Sequence, residues 1–462
     1  MFLYTEDIEQ QVRANLRKYQ KLYDRLPVNL QNLLVTTRGF FLARLRYQKL
    51  FWETLAEIKR HENFTQNELE LYQNHALQHL IRHAYKNTVY YKRLLDGLRL
   101  TPRDIQTVED LRKLPVLTRR QIKEKFGAFL SHKGNGRIVV HTSGSQGSGL
   151  PIAYNKRDLA RNWAFILRQL TWANVHPKHR RITLFGSKIV PESQNQPPYW
   201  RTNWFERQIL LSIFHLSEKT RDDYLDFLRT HQGLVLEGFA SVLTILADFV
   251  LQEGKSIPMK LVYSTGEPID APSRHKVERA FGCRLLDCYG MTEWVGFIQE
   301  CEKGRKHLIS DYGILEILDT NNQPVPPGQE GYFVWTGLQR EDMPLIRYRI
   351  GDKGRWSLAS RCECGKPYPL VDPTITRDSD IIKTPDGDLF SPRVLNQFLK
   401  DKVSFNFCQF IQENLASLVI RIVPGNEICE QEVQRLTRDL DQIFKGSLAL
   451  TVRFAKRPLM RG

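Results

Sequence analysis

The sequence holds no apolar run of about 18 residues, the length a helix needs to cross a bilayer. Its amino terminus, MFLYTEDIEQ, carries acidic residues where a secretory signal needs a basic stretch followed by an apolar one. Cysteine is scarce, at seven in 462 residues, and several of the seven are grouped at metal-ligand spacing. That usage fits reduced thiols better than a disulfide framework, so a cytoplasmic protein without a structural disulfide is expected. No internal repeat and no low-complexity tract is visible, which excludes a solenoid and a disordered chain. The Gly-Lys-Ser/Thr ending of a P-loop is missing as well.

What is present is ordinary globular material, 41% hydrophobic and 26% charged, in a chain too long for one compact core. Two or three folded units are expected. The net charge of +16 is unevenly spread: residues 1–126 hold 23 Lys and Arg against 14 Asp and Glu. A solvated surface that attracts anionic cofactors such as ATP accounts for this. A second account is peripheral contact with anionic lipid, because Arg38, Arg44, Arg46 and Lys49 interleave with Phe40, Phe41, Leu42 and Leu45 at partly helical spacing. Nucleic acid is not expected as a partner, since no binding motif accompanies the charge.

Hydropathy divides the chain. Residues 1–126 read as helical, with long apolar-periodic stretches such as ELELYQNHALQHLIRHAYKN and few breakers. Over 127–377, helical segments (DLARNWAFILRQLTWANV, SVLTILADFVLQEG) alternate with short β-type runs (RRITLFGS, GLVLEGF, MKLVYSTG, CRLLDCYG), predicting a parallel sheet wrapped by helices. From about Gly313 strands and turns take over (GILEILDT, GYFVWTGL, PLIRYRIGDKGRW). Residues 378–462 read as a small α+β unit containing VLNQFLKD, LVIRIVP and an amphipathic helix near Gln431–Phe444.

Two constellations carry chemistry. The segment Thr142-Ser143-Gly144-Ser145-Gln146-Gly147-Ser148-Gly149 follows a predicted strand, so backbone N–H and hydroxyl groups can converge on phosphate oxygens, although such a loop also serves as a plain turn. Cys301 and His307, followed after a β-rich stretch by Cys362 and Cys364, have the composition of a closed Cys3His zinc site that would tie the entry of the β-rich subdomain to its exit. Buried free thiols and a surface histidine are the alternative. Cys283, Cys288, Cys408 and Cys429 lack such partners and read as small core residues.

Further motifs stand in a fixed order: Ser264-Thr265-Gly266-Glu267-Pro268, Asp287-Cys288-Tyr289-Gly290-Met291-Thr292-Glu293, Tyr348-Arg349-Ile350-Gly351-Asp352 and Thr376-Arg377-Asp378-Ser379-Asp380. With the Thr142 loop they resemble the signature of the adenylate-forming (AMP-binding) superfamily across nearly the whole chain. Gln73–Lys92 and DLRKLPVLT at 110–118 are similar to the amino-terminal region of its phenylacetate-CoA ligase-like branch, which includes capsular-polysaccharide-associated (CapK-like) proteins. The resemblance implies a helical amino-terminal region, a large α/β plus β-rich domain and a small α+β carboxy-terminal domain. It also implies ATP-dependent adenylation of a carboxylic acid, followed by transfer to a thiol such as CoA, and some members of the branch carry a zinc site.

Carried onto this chain, the resemblance gives each motif a role. Ser143, Gly144, Ser145 and Gly147, led by Thr142, would hold the β- and γ-phosphates. Gly266 and Glu267 would line the adenine pocket, with Tyr289 and Gly290 beside the ring. Thr292 would donate to the α-phosphate, Glu293 would hold Mg²⁺, Asp352 would accept from the ribose hydroxyls, and Arg377 at the hinge would meet phosphate or ribose oxygens. Residues between about Trp204 and Ser241, with Phe239 and Ser241 as walls, would line the acid pocket. A small carboxylic acid and CoA are the expected partners, with a homodimer as the assembly.

The chain also departs from the family pattern. Its phosphate loop is longer, with Gln146 at the second Thr position and Ser148-Gly149 inserted; Thr376 replaces the hinge glycine. The terminal Gly-Lys is not matched, Lys456 in FAKRPLMRG being the nearest candidate. That departure leaves a non-catalytic nucleotide-binding scaffold as an alternative, and the resembled branch, some of whose members transfer the adenylyl group itself, leaves an adenylyltransferase of polysaccharide assembly as another.

Overall fold

The computed structural model describes residues 22–134, 136–142, 149–176, 179–191, 193–373, 382–386, 389–390, 395, 405–424, 430–444 and 446–454. Its amino-terminal part is helical, with helices Val28–Arg46, Lys49–His61, Gln66–Asn87 and Val89–Gly97. The third begins at a capping box, Thr65 accepting from the Glu68 N–H while Glu68 accepts from the Thr65 N–H at 2.6 Å. Leu69, Leu77, Leu80, Ile81 and Ala84 form its buried stripe, and Thr88 ends it and caps the next helix. The β-region backbone of Thr88 is what breaks one long periodic pattern into two helices.

These helices share one continuous hydrophobic core with the sheets behind them. A buried ion cluster adds to the junction. Arg168, on helix Lys156–Trp172, donates from Nη1 and Nη2 to the two oxygens of Asp311 at 2.5 and 3.0 Å, and His61 Nδ1 lies 2.9 Å from the same carboxylate. The Arg168 charge and the hydrogen bonds from His61 and Arg168 hold the Asp311 carboxyl below its usual range despite complete burial.

A short antiparallel pair, β1 (Ile138–His141) and β2 (Pro151–Tyr154), brackets the loop that starts at Thr142. The main sheet has eight strands: β3 (Arg181–Leu184), β4 (Trp200–Asn203), β5 (Gln208–Leu211), β6 (Val235–Gly238), β7 (Leu261–Thr265), β8 (Leu285–Gly290), β9 (Phe297–Glu300) and β10 (Lys306–Leu308). Their order is β10-β9-β8-β7-β6-β3-β5-β4. The five strands from β8 to β5 are parallel, as expected, but β4, β9 and β10 add antiparallel edges that the sequence reading did not contain. β4 reads WRTN, with no apolar alternation to mark it as a strand.

The β-rich part is a four-stranded antiparallel sheet, β11 (Gly313–Leu318), β12 (Gly331–Gly337), β13 (Tyr348–Trp356) and β14 (Val371–Pro373). A two-stranded pair follows, β15 (Ile382–Lys383) with β16 (Leu389–Phe390). Last come β17 (Phe405–Asn414), β18 (Ser417–Pro424) and β19 (Ala449–Phe454), with helix Glu430–Ile443 crossing between β18 and its parallel neighbour β19. Here Leu418, Ile420, Ile422, Leu436, Leu440 and Phe444 form a second, smaller core. The expected helix VLNQFLKD lies outside the described residues apart from Leu395.

Candidate functional site

Strands β6, β7 and β8 run in parallel register, Gly238 beside Ser264 and Thr265 beside Cys288, so their carboxyl ends open on one crevice. In open α/β sheets that is where ligands sit. Gly266 follows β7 with φ +84°, a left-handed conformation that costs other residues about 1–2 kcal/mol. It turns Glu267 toward helix Ala240–Gln252, where its carboxylate accepts from the Ser241 N–H at 3.0 Å and the Ser241 hydroxyl at 2.6 Å. Ser241, a candidate wall of the acid pocket, thus stands beside Glu267, and Phe239 leads into the same helix. Trp204 lies elsewhere: it sits in the β4–β5 turn at the other end of the sheet, 55% exposed.

At the end of β8, the Tyr289 hydroxyl donates to Asp352 Oδ2 at 2.7 Å, joining two motifs 63 residues apart. The Tyr289 ring stacks at 6.3 Å on Trp335 of β12. Gly351, with φ +98°, gives β13 the local twist that brings Asp352 to this position. Gly290 and Thr292 are half-buried on the same rim.

Glu293 occupies the turn after β8 and is buried. Its Oε1 accepts from the Tyr348 hydroxyl at 3.1 Å, and Arg340 donates to its backbone carbonyl. Burial raises the Glu293 pKa; the nearby Arg119 charge and the Tyr348 hydrogen bond work against that, and Asp352 adds to it. Trp294, next in sequence, has φ +51°, and Arg347, just before Tyr348, has φ +53°. Non-glycine residues in this region cost about 1–3 kcal/mol and cluster where surrounding structure holds a site in place. Here Trp294 stacks on Tyr154 at 4.1 Å, and Arg347 is forked onto Glu316 at 2.9 and 2.7 Å. The two strained residues fix the facing side chains Glu293 and Tyr348.

Arg119 was missed by sequence reasoning. It opens a short helix, Arg119–Glu124, capped by Thr118 and Gln121, and its chain is pinned to β13 by Leu117, which exchanges backbone hydrogen bonds with Arg347 and Arg349 at 2.8 and 2.9 Å. Its Nη2 donates to the Thr142 hydroxyl at 2.8 Å, and its guanidinium also reaches Tyr348. Thr142 in turn accepts from the Leu150 N–H at 3.0 Å, closing the neck of the loop. Thr142, Arg119, Tyr348 and Glu293 therefore form one connected chain. Ser143, Gly144, Ser145 and Gly147 lie outside the described residues, as do Arg377 and Lys456.

The thiol and imidazole candidates also converge. The ligand atoms of Cys301, His307, Cys362 and Cys364 all lie within 4.8 Å of one another. Cys301 and Cys362 sulfurs are 3.7 Å apart, and Cys364 Sγ is 3.3 Å from His307 Nε2. Tetrahedral thiolates at about 2.3 Å from a central ion would stand about 3.8 Å apart. His307 Nδ1 donates to the Tyr368 carbonyl at 2.8 Å, which fixes the tautomer and aims Nε2 at the three sulfurs. Cys301 lies just beyond β9, His307 is on β10, and Cys362 and Cys364 are on the β13–β14 connection, so the cluster joins the main sheet to the β-rich sheet. Burial pushes the Cys283 and Cys288 thiols up to about 11, as suits small core residues; the side chains of Cys408 and Cys429 lie outside the described residues.

The sequence profile of the AMP-binding enzyme family matches residues 212–339, the span that holds the Gly266 and Glu293 motifs. Protein CapK of Staphylococcus aureus is 24% identical over 411 residues, covering 88% of each chain. Phenylacetate-coenzyme A ligase of Thermus thermophilus is 24% identical over 349 residues, covering 70% of this chain and 73% of the relative. Among solved structures, a 2-hydroxyisobutyryl-CoA ligase in complex with 2-HIB-AMP and CoA superposes with a TM-score of 0.57 at 18% identity, over 87% of this chain and 90% of that one, which shows the shared fold. In motif order, in this profile match and in its relatives, the chain is similar to the adenylate-forming (AMP-binding) enzymes, among them phenylacetate-CoA ligase and CapK.

Proposed function

We propose that the protein adenylates a carboxylic acid and passes the acyl group to a thiol such as CoA. In the first step the substrate carboxylate oxygen attacks the ATP α-phosphorus, the bond to the bridging oxygen breaks, and pyrophosphate leaves. In the second, the thiol sulfur attacks the acyl carbon, the thiol proton is lost and AMP departs. The observation that carries this reading is the continuous chain Thr142–Arg119–Tyr348–Glu293, which joins the neck of the phosphate loop to a buried carboxylate beside the Tyr289–Asp352 pair.

On this reading Thr142, with Ser143, Gly144, Ser145 and Gly147, receives the β- and γ-phosphates, and Arg119 adds a cation at the loop's neck. Gly266, Glu267, Tyr289 and Gly290 bound the adenine, Asp352 accepts from the ribose, Thr292 donates to the α-phosphate, and Arg377 acts at the hinge. Glu293 is a hard, buried oxygen ligand of the kind Mg²⁺ takes, and the ion would offset charge on departing pyrophosphate. Residues 1–126, 127–377 and 378–462 are read as helical region, large domain and small domain, the last rotating between half-reactions. A cytoplasmic location, where ATP and CoA are present, goes with the same reading.

The Cys301, His307, Cys362 and Cys364 cluster is read as a structural zinc site. Three thiolates and one imidazole fill a tetrahedral shell and leave no open position for chemistry.

The test is carboxylate-dependent exchange of pyrophosphate into ATP over aromatic, fatty, amino and sugar acids, for the natural chain, Glu293→Gln and Asp352→Ala. Exchange with one acid class, lost in both variants, supports the reading. ATP binding without exchange across the panel would instead favour the scaffold, and AMP transfer to a hydroxyl acceptor the adenylyltransferase.

A further inference from the structure

Helix Val28–Arg46 presents an inverted surface. Its buried face holds Val35 and Ala43 together with Gln31, Gly39 and Arg46, whereas the face turned to solvent carries Leu30, Leu33, Leu34 and Phe41, each 46–60% exposed. These positions recur at the three- and four-residue spacing of a single helical stripe. A solvent-facing stripe of this kind is the reverse of what an ordinary surface helix shows.

Two other segments extend the same patch. The β4–β5 turn projects Trp204 and Phe205, 55% and 52% exposed, beside the helix, with Phe205 edge-on to Phe40 at 5.2 Å. Trp52, 55% exposed on helix Lys49–His61, stands against Tyr47, and Trp52 and Phe205 together border a cavity of about 180 Å³. Half-exposed aromatic rings from three chain segments thus gather on one side of the molecule.

The charge around this patch is mainly positive. Residues 28–52 contain Arg38, Arg44, Arg46 and Lys49 and no Asp or Glu. Arg46 is buried and donates inward from Nη1 to Glu206 at 2.8 Å, but Arg44, Lys49 and Arg207 are exposed around the apolar surface. Glu53, paired with Lys49 at 3.4 Å, is the nearest exposed acid on the adjoining helix. Apolar and aromatic side chains ringed by cations match the acyl and headgroup layers of an anionic bilayer.

We infer that the protein docks through this face, built by helix Val28–Arg46, Trp52 and the β4–β5 turn, on an anionic lipid surface. The helix lies in the plane of the interface, its leucines and aromatic rings entering the acyl boundary and Arg44, Lys49 and Arg207 meeting lipid phosphates. The patch lies at the β4 edge of the sheet, away from the β6–β8 crevice, so docking leaves that crevice open to solutes.

The full chain is floated with vesicles of phosphatidylcholine alone and of phosphatidylcholine mixed with phosphatidylglycerol, at low and high salt. Binding is expected to the mixed vesicles, weakened by salt. Arg44→Gln should weaken it about fivefold, the effect of one cation near an anionic surface. Phe41→Gln with Trp204→Gln, both at exposed positions, should abolish it while leaving the thermal midpoint in place. Failure to float with the mixed vesicles overturns the proposal, as does equal binding to uncharged vesicles. So does sedimentation showing a dimer that Phe41→Gln with Trp204→Gln dissolves, because the face would then belong to a second copy.

Discussion

Replacing Arg119 by alanine should impair ATP use far more than stability. The substitution removes a charge-assisted hydrogen bond to the Thr142 hydroxyl at 2.8 Å and a cation that favours the ionised form of Glu293. Hydrogen bonds to charged groups contribute about 1.5–3 kcal/mol, and because Arg119 is half-buried, water makes up part of that loss. A net loss of about 2 kcal/mol corresponds to roughly thirtyfold in kcat/KM for ATP. The fold should hold, because the Thr118 cap and the Leu117 hydrogen bonds to β13 do not involve the guanidinium. A second readout separates this from a merely structural effect. The Glu293 pKa is already raised by burial and is restrained by Arg119, so without the guanidinium it rises further. The acid limb of the kcat/KM profile should then move to higher pH. Arg119→Lys should restore the position of that limb while recovering only part of the ATP affinity, because an ammonium cannot span Thr142 and Tyr348 together. Steady-state kinetics at varied ATP and pH, with a thermal melt of each variant, tests the argument. An unchanged kcat/KM for ATP, or an unmoved acid limb, would refute the role given to Arg119.

Two further outcomes follow from the same geometry. Since Glu293 has a raised folded-state pKa, its ionisation opposes folding, and stability falls as pH rises from the unfolded value through the folded one. Glu293→Gln should therefore abolish exchange yet leave urea stability at neutral pH unchanged or higher, and a lower stability would contradict the burial argument. For the thiol cluster, elemental analysis should find one zinc per chain, and Cys362→Ser should lose it together with several degrees in the melt. A metal-free natural chain with the same melt would remove zinc from the structure.

The chemistry of the site was legible to different depths. Thr142 could be named because hydroxyls and glycines directly after a strand leave a local signature, and Gly266, Tyr289, Glu293 and Asp352 because their motifs resemble those of the adenylate-forming superfamily. Arg119 left none. It sits in a run of basic residues, TRRQIK, where its neighbour Arg120 is exposed, and the hydrogen bond of Arg119 to Thr142 distinguishes the two. Tyr348 was quoted in a motif but given no role, since its hydroxyl meets Glu293 across 55 residues. Trp204 was placed in the acid pocket by its position in the chain, whereas the strand order carries it to the opposite end of the sheet.

The sequence alone determined the helical amino-terminal region, the alternation that builds the parallel strands, the order of the motifs and the grouping of Cys301, His307, Cys362 and Cys364, because periodicity, caps and residue chemistry act over a few residues. Tertiary structure decided which of these groups meet. It set the antiparallel edges of the main sheet, the left-handed backbone at Trp294 and Arg347, the convergence of four ligands on one point, and the outward turn of the leucine face on helix Val28–Arg46. The reason is physical: contacts between distant segments depend on strand order and on which face of each element the shared core buries, and no local pattern encodes either.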